Sequence, residues 1–350
     1  VAKWLAQWIE NIAVPPAIGD NTHAGYRGDI EKHLIPGLGA HRLERLAPEH
    51  LEKLYTTMQR NGSAPGNAHH VHRTIRTALN EAVRRGHIAS NPASVAKAPV
   101  LPDAEVDPYD VDEVKRLLKV AAGLHRNSAR WALALALGLR QGEALGLRWE
   151  DVDLDGGVLW VRQSRLRPKY LHGCGGKCGQ RAGSCPKRVA ARPITKATKS
   201  RAGRRRIGLP AQLVGLLARH REEQAAERAR ALDMWREGGW VFTSPTGEPV
   251  NPSTDYHQWK ALVRKAGVRD ARLHDARHSA ATVLLVLGVP ERTVMSIMGW
   301  STTAMAARYQ HVTDPIRRSV AERVGGLLWD SEAEGDSGSP VSTADVGERT

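Results

Sequence analysis

Apolar residues recur at helical spacing through the first quarter of the chain. Trp4, Leu5, Trp8, Ile9 and Ile12 fall on one face of a helix. Tyr26, Ile30 and Leu34 share a face of a second helix, which begins at Thr22 and stops at Pro36-Gly37. A third starts after Pro48, carries Leu51, Leu54 and Met58, and breaks at Asn61-Gly62. A fourth runs from about Pro65 to Arg85, with Val71, Ile75, Leu79 and Val83 at intervals of four. Its other faces carry Arg73, Arg76, Arg84 and Arg85, a set suited to a polyanion backbone. Residues 1–98 therefore read as a small helical domain.

Periodicity fails from Asn91 to Asp107, a Pro/Ala/Val-rich stretch, and 99–107 reads as an inter-domain linker. A second domain, 108–329, opens with helices over Val111–Gly123, Ser128–Leu137 and Gln141–Leu147. Strands follow at Val158–Val161 and Arg206–Leu209, then a helix from Ala211 to about Ala231. Trp240–Thr243 reads as a strand with a turn at Pro245–Gly247, and the chain is helical from Ser253. The last stretch, 330–350, holds six acids and one base, Arg349, and predicts a disordered acidic tail. The fold class expected is mainly α with a small β-sheet (α+β). A length of 350 residues accommodates both domains.

Charge sharpens this picture. There are 51 Lys+Arg against 37 Asp+Glu, for a net +14, and 38 of the bases are Arg, the side chain that grips phosphate in bidentate fashion. From Gly156 to Arg221 there are 17 Lys/Arg and no acid, so this one block carries the whole excess. A field so concentrated suits a polyanion.

Cys174, Cys178 and Cys185 are odd in number and clustered inside that block, which is not a disulfide framework. With His172 they offer a Cys3His set for a structural zinc in a basic insertion at about 165–194. The alternative is a mobile loop with three reduced thiols. No apolar run reaches membrane-spanning length and no signal-peptide pattern opens the chain, so a soluble cytoplasmic protein with no membrane partner is expected.

The chemistry concentrates between Leu273 and Val312. His274, Arg277, Trp300 and Tyr309 supply a proton-transfer group, a phosphate clamp, an indole donor and a phenolic nucleophile. Upstream, Gly138-Leu-Arg-Gln-Gly-Glu143 sets Arg140 at a junction between helices, where backbone N–H groups at a helix start would form an oxyanion pocket. Glu143, one turn along, would fix the guanidinium. Singly, each has a plainer reading. Arg140–Glu143 is an ordinary helix ion pair, Trp300 a core indole, His274 and His278 helix polar groups, and a phenol with pKa near ~10 is a poor nucleophile.

Taken in order, Gly-Leu-Arg-Gln-Gly-Glu, His-Asp-Ala-Arg-His, Gly-Trp-Ser and Ala-Arg-Tyr-Gln-His resemble the tyrosine recombinase (phage integrase) family, of the actinobacterial integrase type. The resemblance covers nearly the whole chain, and the Thr22…Tyr26…Ile30…His33…Pro36 run is similar to the family's core-binding domain. It implies that Arg140 and Arg277 clamp the scissile phosphate and that His274 assists proton transfer. Trp300 stands where most integrases have His; Tyr309 matches the nucleophile, and Glu143 the acid after the first arginine. Lys196 and Lys199 are candidates for the hairpin lysine that protonates the 5′-oxygen, and the stretch from Lys199 to Ile207 fits the family pattern better. Arg201 and Arg204 beside it are expected to contact DNA. The minimal family hairpin does not need the Cys-containing insertion.

The implied activity is site-specific DNA recombination through a 3′-phosphotyrosyl intermediate, with neither ATP nor a catalytic metal required. The implied partners are double-stranded attachment sites of a phage or mobile element, a homotetramer on DNA, and a directionality factor. The DNA-bound protein would be nucleoid-associated. The rival readings are a type IB topoisomerase, which reseals one duplex without a partner, and a non-catalytic DNA-binding protein.

Overall fold

Helical periodicity is realised through most of the chain and builds two units, Val1–Ala104 and Glu105–Thr350. The computed structural model describes residues 1–101, 107–124, 126–198, 201–307 and 309. Most of the expected linker, Lys199 and the expected acidic tail lie outside the described residues.

In the first unit, α1 (Ala2–Gln7) runs into a π-turn at Trp8–Ile12. Helix α2 (Asp20–Asp29) passes through a second π-turn, Ile30–Leu34, into α3 (Ile35–Leu38). The expected stop at Pro36-Gly37 is therefore not observed. Pro36 lies in α3 directly after that π-turn. Helices α4 (Pro48–Arg60) and α5 (Pro65–Arg84) each start on a proline, whose missing N–H forfeits no hydrogen bond at a helix start. Along α5, Ala68, Val71, Ile75, Ala78, Leu79 and Ala82 are buried, and Trp4 Nε1 donates to the Ala78 carbonyl at 3.1 Å. The start of the aperiodic stretch belongs to this core. Asn91 Nδ2 donates to Asn80 Oδ1 at 2.6 Å and to the Arg76 carbonyl at 3.0 Å, so Ala93 and Ala96 dock into this core.

The second unit opens with α6 (Val111–Ala122), closed by a capping box in which Asp110 and Glu113 accept from each other's backbone N–H at 2.7 and 3.0 Å. Next come α7 (Ser128–Ala136) and α8 (Gln141–Leu145). Helix α7 is buried on nearly every side. A three-stranded antiparallel sheet follows, ordered β1 (Val152–Asp153), β2 (Val158–Val161), β7 (Arg205–Gly208). Between β2 and β7 the chain runs out and back as an arm. Its strand β3 (Gln163–Arg165) pairs with β6 (Thr195–Ala197), and further out β4 (Tyr170–His172) pairs with β5 (Arg188–Ala190). The rest is α9 (Ala211–Ala231), α10 (Pro252–Ala266), α11 (Leu273–Val286), α12 (Glu291–Met298) and α13 (Ala304–Ala307).

Trp240–Thr243 does not form the expected strand; it holds only single bridges, Arg148 to Trp240 and Thr243 to Pro249. Its carbonyls are taken by side chains of α9 instead. His220 Nε2 lies 2.7 Å from the Val241 oxygen, and Gln224 Nε2 donates to the Trp240 and Val241 oxygens at 3.1 and 3.0 Å. A buried peptide satisfied this way has no need of a ladder.

One buried ion pair ties the framework to the region of Arg140. Arg130 on α7 and Asp255 on α10, each 1% exposed, make a bidentate contact with both N–O distances at 3.0 Å. Gln141, the first residue of α8, donates to Asp255 Oδ2 at 2.9 Å and to the Pro252 carbonyl at 2.8 Å. Arg140 therefore precedes a residue pinned from α10. Among the described residues no helix is long and apolar enough to cross a membrane.

Candidate active site

Three arginines from three elements converge on one helix end. At the C-terminus of α12, Arg205 Nε donates to the Ile297 carbonyl at 2.6 Å, Arg277 Nη2 to that of Met298, and Arg140 Nη2 to that of Gly299 at 3.4 Å. A helix leaves its last carbonyls unpaired and carries partial negative charge there, so cations are its natural partners. Gly299 closes the helix at φ +63°, and a Cβ there would sit 2.9 Å from Arg205 Nη1 and from the Ala202 oxygen. Only glycine permits this approach.

Arg277, 3% exposed on α11, also donates through Nη1 to the Gly138 carbonyl at 2.5 Å. Burial first, and then the like charge of Arg140, bring its pKa down to about 9, which leaves it a cation at neutral pH. Arg140 is more open, and its Nη1 meets Glu143 Oε1 at 2.7 Å. Its backbone N–H donates to Glu143 Oε2 at 3.0 Å, so one of the backbone N–H groups at this helix start is already occupied. Glu143 is no surface partner. It is buried and also bound by Arg205 at 2.9 Å. Burial alone would raise its pKa, but the hydrogen bond and charge of Arg205, joined by Arg140, outweigh it and hold the carboxyl below its ordinary value. Three guanidinium groups against one carboxylate leave the pocket positive, as an anionic ligand requires.

Tyr309 completes the group. It is buried, its ring stacks on Trp300 at 5.4 Å between centroids with 19° between planes, and its hydroxyl hydrogen-bonds His278 Nδ1. Trp300 in turn lies 6.0 Å from the Arg277 guanidinium. His278 was read from sequence as one of two helix polar groups, yet it is the one that touches the phenol. Desolvation, and then the neighbouring His274, lower its pKa to about 4, so the ring is neutral at pH 7 and its unprotonated nitrogen is an acceptor. His274, one turn earlier on α11, is exposed at the mouth, edge-on to His278 at 4.9 Å. Desolvation and then Arg277 lower its pKa as well.

The remaining expected residues divide plainly. Arg73 and Arg76 are exposed on α5. Arg84 and Arg85 are exposed too, but both bind Glu81, at 2.5 and 2.6 Å, and pull its carboxyl down to about 2. Arg204 is exposed beside β7, and the Arg201 side chain lies outside the described residues. Lys196 is exposed on β6, opposite Ser164. In the arm, His172, Cys174, Cys178 and Cys185 place their ligand atoms within 4.8 Å of one another. The Arg205 role was missed, although alternation on a strand that buries Ile207 signals it, since Arg204 and Arg206 then face out.

Residues 109–315 match the model of the phage integrase family. The chain belongs to the phage integrase family. An integrase of Saccharopolyspora erythraea is 43% identical across 94% of this chain and 82% of its own length. A XerC-like tyrosine recombinase of Caldanaerobacter subterraneus is 26% identical across 93% and 81%. The fold is shared with the Tn1549 transposon integrase solved with a circular intermediate DNA, at 18% identity over 92% of this chain and 98% of that one, TM-score 0.70. It is shared also with lambda integrase solved as a dimer on a core site, at 17% identity over 89% and 95%, TM-score 0.61. This family member is a site-specific tyrosine recombinase, and its family match begins just inside the second unit.

Proposed function

We propose that Tyr309 is the nucleophile of DNA strand exchange at an attachment site of a phage or other mobile element. The phenolic oxygen attacks phosphorus, an O–P bond forms to the 3′ side, and the P–O5′ bond breaks. The departing 5′-oxygen takes a proton from Lys199, the lysine that follows β6. A 5′-hydroxyl of the partner duplex then attacks the phosphotyrosine, which regenerates Tyr309. Each step exchanges one phosphodiester for another, so the bond energy is retained and ATP has no role. Arg140 and Arg277 hold the non-bridging oxygens; Glu143, itself bound by Arg205, holds Arg140 in register, and the Gly138 and Met298 carbonyls hold Arg277. His278 fixes the phenol and, being neutral, is placed to receive its proton, while His274 at the mouth serves the phosphate side.

The observation that carries this reading is the hydrogen bond from the buried Tyr309 hydroxyl to His278, under Trp300 and beside Arg277. The helical unit 1–98 is the core-binding half, with Arg73 and Arg76 on phosphates. Exchange of two strand pairs takes four protomers, and the solved relatives include a lambda integrase tetramer on a Holliday junction. A directionality factor and association with the nucleoid belong to the same reading. A structural zinc ion at the Cys/His cluster stands outside the chemistry. The test is covalent trapping on a nicked attachment-site duplex. Tyr309→Phe should bind the duplex as the wild type does and form no adduct; an adduct in that variant overturns the assignment. Failure of the wild type to relax supercoils while joining two sites would separate it from a topoisomerase.

A further inference from the structure

Across 162–198, the described part of the arm with its approaches, Cys185 is the one buried residue. Leu171, Val189 and Ile194, which an arm of this length would use for a core, are 57%, 56% and 50% exposed. Strands β4 and β5 pair over three residues each, and an isolated two-stranded ribbon is marginal in water. Yet the outer end follows a defined path. Gly173 N donates to the Lys187 carbonyl at 2.9 Å, Arg188 N to that of Cys185 at 3.0 Å, and Gly175, Gly176 and Gly179 turn the chain at φ of +64°, +83° and +67°. Something other than apolar burial holds it.

Three of the six separations among the four ligand atoms at that end match the edges of a tetrahedral site, and all six lie within 4.8 Å. Zn–S bonds of about 2.3 Å and a Zn–N bond of about 2.0–2.1 Å require tetrahedral edges near ~3.8 Å between sulfurs and ~3.5 Å between sulfur and nitrogen. The Cys174 and Cys185 sulfurs are 3.5 Å apart, and His172 Nδ1 lies 3.8 Å from the Cys174 sulfur and 3.5 Å from that of Cys178. A disulfide would need about 2.05 Å. The ligands come from both sides of the arm, His172 at the end of β4 with Cys174 and Cys178 in the turn after it, and Cys185 before β5, so one ion would join the two sides at the arm's end.

We infer that His172, Cys174, Cys178 and Cys185 bind one Zn2+, and that this ion, in place of a hydrophobic core, folds the outer arm. It builds on the structural ion proposed above and assigns it a task. The arm bears nine Lys/Arg and no acid over 163–197, and a folded end fixes where that charge is presented. Since the unfolded arm offers no preformed site, binding free energy becomes folding free energy for the segment.

The experiment uses the full chain, purified under reducing conditions and free of DNA, so its outcome is independent of the Tyr309 assignment. Elemental analysis should find stoichiometric zinc. After chelation, Co2+ alone should give the intense visible bands and thiolate charge-transfer absorption of a tetrahedral thiolate site. Trypsin should cut after Lys177, Arg181 or Lys187 in the metal-free protein and be blocked when zinc is restored. Cys178→Ser should lose both metal and protection, while Cys178→His should keep the ion with an altered cobalt spectrum. Substoichiometric zinc with no tetrahedral cobalt spectrum overturns the site. Equal trypsin resistance with and without zinc overturns the folding role.

Discussion

The pocket around Glu143 and the arm from 162 to 198 are both rich in cationic side chains, and they use them in opposite ways. In the pocket, Arg205 and Arg277 are buried and bonded to carbonyls of α12, with Glu143 compensating part of the charge. In the arm, Arg167, Lys169, Lys177, Arg181 and Lys187 stand exposed around a segment without an apolar core. Buried cations with fixed partners are preorganised, so their field acts at full strength on one oxygen. Exposed cations are screened and interchangeable, and their effect is a sum over many weak contacts. The difference is one of burial and hydrogen bonding, not of residue type.

That contrast can be broken most severely in the pocket. Arg277→Ala should reduce covalent adduct formation on the order of 10³-fold or more, as expected for a cation on transferring phosphoryl oxygens. Arg277→Lys should recover little, because one ammonium cannot span Gly138 and Met298 and still reach phosphate. Single-turnover kinetics on a nicked duplex measures both. Next, Asp255→Ala leaves the Arg130 charge buried without its partner, and chemical denaturation should show a loss of about 3–5 kcal/mol. Adduct formation should fall along with it, since Gln141 beside Arg140 loses one of its two anchors.

Acid tests the His278–Tyr309 bond. The unfolded ring titrates near ~6.5, and the folded one at about 4. The unfolded chain therefore binds the proton first, and this group's contribution to stability is present above about 6.5 and is lost as pH falls toward 4. The unfolding midpoint should drop over that window, and His278→Gln should flatten part of the drop. An unchanged profile in that variant counts against a neutral, buried-side His278. The smallest effect belongs to the arm. Lys169→Ala or Lys177→Ala should weaken DNA binding only modestly and reduce the slope of log K against log salt by roughly 0.9 for each phosphate no longer neutralised. A defect at the scale of Arg277→Ala would erase the distinction.

Much of this was legible from residues alone. Four-residue spacing placed α5, and the ordered motifs singled out Arg140, Arg277 and Tyr309, which the fold brings together. What escaped was decided by tertiary partners. Trp240–Thr243 has strand composition, but α9 side chains take its carbonyls. Arg130 lies in an otherwise apolar run, and its partner Asp255 comes from a helix far along the chain. His278 looks like His274 on a helical wheel, and only the path of the chain to Tyr309 separates them. The arm has too many Gly, Pro and basic residues to show a strand period, and its β3–β6 and β4–β5 pairs left no pattern to read.

The C-terminus of α12 has one further consequence. The carbonyls of Met298 and Gly299 and, in the proposed reaction, an incoming phosphate draw on the same guanidinium groups of Arg277 and Arg140, and a given N–H serves one acceptor at a time. Occupancy of the pocket and seating of the α12 end are therefore thermodynamically reciprocal: whatever binding does to that helix end, displacement of the helix end does equally to binding. Because Trp300 follows that end directly and stacks on Tyr309, the proposed nucleophile would share in that coupling.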